Sequence, residues 1–315
     1  VATGIELLAP FPTSDETLPD FRPEGRPLLA KAIGRFVKDV VPFSDEAVEL
    51  AFRVFLASYP TLMPEVLSRD VVINGDAVRH GIDMTTSPGP GWPKGPEGKR
   101  HLFTMVEGRY VPVPALDRAL DKVEADACAG ALAISPCLAL KDEARPPGKD
   151  PRPLIVFPTE FNQVGRAYFG DLIDQVAAAH ETGPFKCGLN PASHAWVALA
   201  RGLSRHKAVV SDEDIKEHDS ICRMQVHRLV HRVAQHYYAD SHSAIRMALL
   251  EQSCRAPVTV LDRVYQRETN GTGSFITNFL GSMETLLCFC ASHHHFYPED
   301  SADVLLSVAD ISVYG

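Results

Sequence analysis

The sequence predicts an α+β fold, because helical and strand-like segments are mixed without regular βα alternation, no internal repeat is present, and the composition is globular. Of the 315 residues, 45% are hydrophobic and 23% charged, which supplies a sizeable core and excludes a disordered or collagen-like chain. At about 150 residues per domain, the length fits two domains or one large one. The longest weakly polar stretch, Ala127–Leu140, is short and carries Pro136, so no membrane span is expected. No charged segment leading into an apolar run opens the chain, so no signal peptide is expected. Val1 in place of Met reads as the start of a processed or partial sequence. Seven irregularly spaced cysteines fit reduced thiols better than a disulfide framework. The net charge of −9, from 40 acidic and 31 basic residues, argues mildly against nucleic-acid binding. A basic channel can sit inside an acidic protein, so the placement of the charges decides.

Residues 1–30, rich in Pro and polar groups, read as an extended arm. Ser44–Ser58 reads as a helix capped by Ser44, with Ala47, Leu50, Ala51, Val54 and Phe55 at helical spacing. Thr85–Gly98 carries four Pro and four Gly, which exclude a helix or central strand and leave a linker or a shaped loop. Arg118–Ala131, Phe161–Ala178 and Ser193–Leu203 read as helices, and Pro153–Phe157 as a short strand. Lys207–Ser211 reads as a buried strand ending in acids. The helix after it bears an apolar stripe, Val226, Leu229, Val230, Val233, Ala234 and Tyr237, with His227, Arg228, His231, Arg232 and Gln235 on the other face. Ser243–Cys254 (helix), Val258–Tyr265 (strand), Ser274–Cys290 (helix) and Val304–Val313 (strand) complete the order.

Three constellations carry possible chemistry. In SDEDIKEHD, Asp214 and Asp219 lie five apart where a strand gives way to a turn. Such carboxylates either hold a divalent cation through oxygen ligands or are simply solvated. In KDEARPPGKDPRPLI, the basic Lys141, Arg145, Lys149 and Arg152 recur every three or four residues along a Pro-interrupted ribbon. That pattern suits triphosphate recognition, because Arg offers paired donors to phosphate oxygens, and it equally describes a charged loop. In ETNGTGSFITNF, two glycines precede a helix, which brings the backbone close to a ligand or merely makes a turn.

Together and in order, these segments resemble the RNA-dependent RNA polymerases of picornavirus-like and partitivirus-like RNA viruses. TTSPGPGWPKGPEGKRHLF (85–103) resembles the family's fingers segment, with Thr86, Ser87 and Gly89 matching and Pro90 one place early. The ribbon at 140–158 is similar to the family's K-D-E-x-R…R-x-I pattern, and CGLNPASHAW (187–196) to its G-x-N-P element. DIKEHDS (214–220) matches D-x4-D of the first palm motif. NGTGSFITNFLGSM (270–283) resembles the second, with Thr272 in the usual Ser position and Gly273 and Thr277 matching. Gly281 stands where the family has Asn or Asp, with Asn278 nearby. ADISVYG (309–315) resembles the strand leading into Y-G-D-D.

The resemblance implies a right-hand polymerase fold of fingers and partial palm, without a thumb. Its parts would be an arm and fingertips at 1–84, fingers with the basic ribbon at 85–205, and a palm at 206–315. The palm would carry a fingers insertion at about 239–268 and end at the catalytic turn. The implied activity is template-directed ribonucleotidyl transfer in viral RNA replication, using two Mg²⁺ or Mn²⁺ ions about 3.5–4 Å apart. Asp214 and the backbone carbonyl of Ile215 would hold metal, Asp219 would sense the ribose, and Lys141, Arg145, Lys149 and Arg152 would bind the triphosphate. Thr272, Gly273, Thr277, Asn278, Thr86, Ser87 and Gly89 would line the ribose and template. The implied partners are an RNA template and product, nucleoside triphosphates and other viral replication proteins, in cytoplasmic replication complexes of a host cell. The fragment as written is expected to be inactive. Two other readings stay open: a catalytically incomplete palm-and-fingers binding protein, and an unrelated metal-dependent phosphotransferase or nuclease. Zinc at Cys288, Cys290 and His293, or at His227 and His231, is disfavoured by the ligand spacing and by Arg228 and Arg232. Trp92 and Trp196 read as packing residues.

Overall fold

The computed structural model describes residues 6–7, 41–141, 152–187, 189, 194–205, 215, 218, 223–260 and 263–313. Strand β1 (Glu6–Leu7) leads to α1 (Asp45–Ser58), α2 (Arg69–Asn74), β2 (Phe103–Val106), β3 (Arg109–Pro112) and α3 (Pro114–Cys128). Then follow β4 (Cys137–Leu140), β5 (Pro153–Val156), α4 (Thr159–Ala178), α5 (His194–Arg205), α6 (Met224–Tyr237) and α7 (Ser243–Arg255). The order closes with β6 (Val258–Val260), β7 (Arg263–Gln266), α8 (Thr277–Phe296) and α9 (Ala302–Val308).

The helix starts follow local chemistry. The Ser44, Ser68 and Ser301 side chains accept from the N–H groups of Ala47, Val71 and Val304, satisfying donors that have no partner within the helix. Pro114 opens α3, where a missing N–H costs nothing. The expected helices over 44–58, 118–131, 161–178, 193–203, 226–237 and 243–254 are all present, with ends shifted by a few residues.

A five-stranded sheet has the order β1-β7-β6-β4-β5. β4 and β5 form an antiparallel pair with Leu138 opposite Ile155, while β4 and β6 run parallel, Cys137 beside Thr259. The arm joins this sheet where β1 pairs with β7. Helix α1 packs against α6, α8 and α9, and α4 against α2, α3 and α7. Phe55, Tyr59, Phe185 and Phe279 form one aromatic centre, with the Tyr59 hydroxyl accepting from the Phe185 N–H at 2.9 Å.

Several expectations are corrected. Val304–Val313 is not a strand: Ser301 caps α9, Ala302 and Leu305 bury their side chains, and only Val313 forms a bridge, to Phe185. Short apolar runs have no decisive period, and here the cap and the surface of α1 impose a helix. Val258–Tyr265 is two strands of a tight hairpin rather than one, and the helix expected from Ser274 starts at Thr277. His227 lies on the buried side of α6, fully enclosed, where its Nδ1 bonds the Arg223 carbonyl oxygen at 3.1 Å. Trp196 is 47% exposed on α5, whereas Trp92 packs as expected and donates to Glu160 at 2.7 Å. The expected strand at 207–211 lies outside the described residues.

Candidate functional site

Edge strand β5 and its exit, Phe157–Thr159, are where three of the distant motifs meet. An edge strand presents unpaired backbone groups, and something must meet them. Here the glycine turn does so. The N–H of Ile155 donates to Thr272 Oγ1 at 3.0 Å, and Val156 and Gly273 form a parallel bridge. A Cβ on Gly273 would lie 2.3 Å from the Ile155 carbonyl oxygen, so only glycine lets the turn lie this close. Asn162 Nδ2 donates to the Gly273 carbonyl at 3.1 Å, and the Phe275 ring fills the notch left by Gly165 on α4. At the head of α8, Thr277 Oγ1 donates to the carbonyl oxygens of Gly271 and Ser274, at 2.9 and 3.1 Å. The two glycines thus bring the turn against β5 and the Phe157 ring. Asn278 is exposed one residue further on.

The Thr85–Gly98 loop reaches the same strand from another side. Thr159 N–H donates to the Pro88 carbonyl at 2.9 Å. Gly89 has φ +82°, and a Cβ there would lie 2.2 Å from the Phe157 carbonyl oxygen. Ser87 Oγ accepts from the Gly89 N–H at 3.2 Å, and Thr86 Oγ1 donates to the Asp83 carbonyl at 3.0 Å. This loop is therefore a shaped wall and not a linker. Burial pushes the Glu160 carboxyl up, an effect the Trp92 bond partly offsets. It also pushes the nearby Lys99 ammonium down.

The basic ribbon is the loop of the β4–β5 hairpin. Lys141 N–H donates to the Arg152 carbonyl at 2.9 Å, so the ribbon's two ends stand opposite each other, both exposed. Arg145 and Lys149 lie outside the described residues, as do Asp214, Asp219, Tyr314 and Gly315.

Of the acidic motif, Ile215 and His218 are described. His218 Nε2 lies 2.8 Å from Oε2 of Glu284, a buried residue of α8 that the sequence reading missed; the available signal was a single acid inside the apolar run Phe279–Cys290. The segment leading to the Y-G motif is fixed at Val313. Val313 N–H donates to the Pro184 carbonyl and Lys186 N–H to the Val313 carbonyl, both at 2.8 Å. The next residue, Cys187, places Sγ 2.9 Å from Ser282 Oγ on α8. Helix α8 is thus met by His218 and by Cys187, and it opens from the glycine turn. Among the described residues, no three His, Cys, Asp or Glu gather as a metal site. His293 instead bonds Asp300 at 3.1 Å.

This five-stranded sheet, with its edge strand capped by the glycine turn and helices packed around it, belongs to the right-hand polymerase class. The structure of a Sicinivirus 3Dpol RNA-dependent RNA polymerase superposes on it with a TM-score of 0.72, covering 87% of this chain and 58% of that one at 19% identity. A family model described as viral RNA-dependent RNA polymerase matches residues 44–294, and the chain belongs to that family. It is 30% identical over 159 residues to the RNA1 polyprotein of Satsuma dwarf virus, covering 45% of this chain and 7% of the polyprotein. It is 26% identical over 251 residues to that of Cherry rasp leaf virus, covering 73% and 11%. The chain therefore spans about a tenth or less of these curated relatives.

Proposed function

We propose that this chain supplies the fingers and much of the palm of an enzyme that copies viral RNA from an RNA template, joining ribonucleotides through their α-phosphates. The observation that carries the reading is the family match over 44–294, whose motifs occur in order and three of which meet on β5. The parts divide as arm and fingertips (1–84), fingers (85–205) and palm (206–315).

Lys141, Arg145, Lys149 and Arg152 bind and neutralise the triphosphate from the hairpin loop, an electrostatic role suited to a reaction that needs positioning above all. Thr272 Oγ1 already accepts from Ile155 N–H, so its own proton can be donated to the nucleotide. Gly273, Thr277 and Asn278 form the ribose wall, and Thr86, Ser87 and Gly89 the template wall. Asp219 accepts from the ribose 2′-hydroxyl, the group that separates RNA from DNA.

Members of this family depend on divalent metal. Asp214 and the Ile215 carbonyl form an all-oxygen donor set, which fits Mg²⁺ or Mn²⁺ and no softer ion. When bound, the cation stabilises charge building on the α-phosphoryl group and lowers the pKa of the attacking hydroxyl. The substrates are RNA and nucleoside triphosphates, and the setting is a virus-infected cell, in cytoplasmic complexes with other replication proteins. Among the described residues, no helix is long and apolar enough to cross a membrane.

Templated primer extension with each NTP and dNTP, by the viral polymerase carrying this chain, tests the reading. Asp214→Asn is expected to abolish incorporation, and Asp219→Asn to erode mainly the preference for ribonucleotides. Robust extension by the Asp214→Asn variant would overturn the assignment of the metal ligand.

A further inference from the structure

The glycine turn is held by two elements. From β5 come the Ile155 N–H on Thr272 Oγ1 and the bridge between Val156 and Gly273. From α4 come Asn162 and, three residues further along the same helix face, the notch at Gly165. A Cβ on Gly165 would lie 2.1 Å from Phe275 Cδ1, and the Phe275 ring meets those of Phe161 and Phe169 at 5.6 Å between centroids. Asn162 Nδ2 donates to the Gly273 carbonyl at 3.1 Å, and among the described residues it is the one α4 side chain that hydrogen-bonds the turn. Only the NH2 end of an amide can face a carbonyl oxygen, and the other end, Oδ1, is buried without a hydrogen-bond partner. An enclosed acceptor with no donor is costly, and a leucine would fill the same space without that cost. The amide therefore supplies something that packing does not, and that is direction. Gly273 has no side chain to restrict its own rotation, so the shape of the turn between Thr272 and Ser274 depends on what holds its carbonyl.

We propose that Asn162, which lies outside every motif recognised in the sequence, is a positioning residue for ribonucleotide selection: by holding the Gly273 carbonyl it sets where the Thr272 hydroxyl and the head of α8 stand against the ribose. The inference rests on the polymerase reading, in which Thr272, Gly273, Thr277 and Asn278 line the ribose, and deepens it by adding a residue of α4 that acts through the turn. The Phe275 ring in its notch resists translation of the turn, while the Asn162 amide resists rotation of the peptide after Gly273. A 2′-hydroxyl is read by hydrogen bonds, which weaken steeply with angle, whereas a 2′-deoxyribose has none at that position to lose. A turn freed to rotate therefore penalises the ribonucleotide and leaves its deoxy counterpart little changed.

The test is the ratio of kcat/KM for a ribonucleotide to that for its 2′-deoxy counterpart, measured by primer extension with the viral polymerase carrying this chain. Asn162→Leu keeps the volume and removes the enclosed oxygen together with the donor, so it should fold. It is expected to lower the ratio about tenfold, through a raised ribonucleotide KM and with kcat/KM for the deoxynucleotide within about twofold of the unaltered enzyme. Asn162→Asp keeps the shape but presents only acceptors to the Gly273 carbonyl at neutral pH, and should lower the ratio at least as far as Leu. Asn162→His, whose Nδ1–H can take the place of the amide donor, should recover part of what Leu loses. A ratio within about twofold of the unaltered enzyme in both the Leu and Asp variants would overturn the proposal. So would variants that lose kcat/KM alike for both sugars, since that marks a purely structural residue. If the unaltered enzyme extends primers and only the Asn162 variants fail to shift the ratio, the polymerase reading stands and this proposal alone falls. If the unaltered enzyme incorporates no ribonucleotide, both fall.

Discussion

Replacing Gly273 with Ala should uncouple the glycine turn from the sheet. The new Cβ would lie 2.3 Å from the Ile155 carbonyl oxygen, 3.3 Å from its carbonyl carbon and 3.4 Å from the Val156 Cα. All three are backbone atoms, so no side chain can swing aside and the turn must retreat by about 1 Å to reach an ordinary contact distance. At that separation the Ile155 N–H to Thr272 Oγ1 bond, now 3.0 Å, and the Asn162 Nδ2 to Gly273 carbonyl bond, now 3.1 Å, are both lost. Each contributes about 1 kcal/mol, and a half-buried N–H left unmet on β5 costs about another 1 kcal/mol. The expected destabilisation is about 2–4 kcal/mol. Urea unfolding should show a lower midpoint with an unchanged slope, because the loss is local. Thr272→Ser, which keeps the acceptor, should stay within about 0.5 kcal/mol of the unaltered protein. A Gly273→Ala protein with an unchanged midpoint would refute the reasoning, since the turn would then not depend on close approach to β5.

Three further outcomes follow from other sites. His227 is fully buried and its pKa is lowered to about 4 by loss of hydration, so the unfolded chain takes up a proton that the native one refuses. Stability is therefore complete above pH ~6.5 and falls as the pH drops toward 4, by about 3 kcal/mol from this group. His227→Phe should flatten the unfolding free energy between those values, and identical pH profiles would refute the assignment. Arg246, 1% exposed, bonds Asp240 at 2.8 and 2.5 Å and the Tyr168 carbonyl at 3.1 Å. Arg246→Ala should cost about 3–5 kcal/mol in urea unfolding, and Lys should recover little, lacking the planar fork. Replacing Arg145 and Arg152 together with Ala should weaken RNA or nucleotide binding and lower the salt slope, by about 0.7 per lost contact on a single strand. An unchanged slope would remove the ribbon from the triphosphate site.

Much of this architecture is legible in local sequence, because its causes are local. Ser44 before two acids and an apolar stripe specifies α1 with no help from the rest of the chain. The stripe from Val226 to Tyr237 does the same for α6. Motif order was legible too, since the D-x4-D, basic-ribbon and glycine-turn patterns are each contained in a few residues. Where the period was short, local reading failed. Residues 302–308 carry an apolar pattern that suits strand or helix, and the surface of α1 decided.

What only tertiary structure decided is which groups the motifs serve. The glycines at 271 and 273 mark a turn in any reading, yet it took the edge of β5, 117 residues earlier in the chain at the Ile155–Thr272 bond, to show what their missing side chains admit. His227 and His231 look alike on a helical wheel. One is enclosed beside Arg223, while the other bonds the Ser243 carbonyl oxygen at 3.0 Å. Glu284 reads as an anomaly in an apolar helix until His218 is brought to 2.8 Å. A sequence sets propensity and chemistry within a few residues of each position, because capping, turn geometry and helical periodicity act over that range. It does not set the partners of a buried charge or of an edge strand. Those are fixed by packing between segments far apart in the chain, where the cost of an unmet polar group selects one arrangement over another.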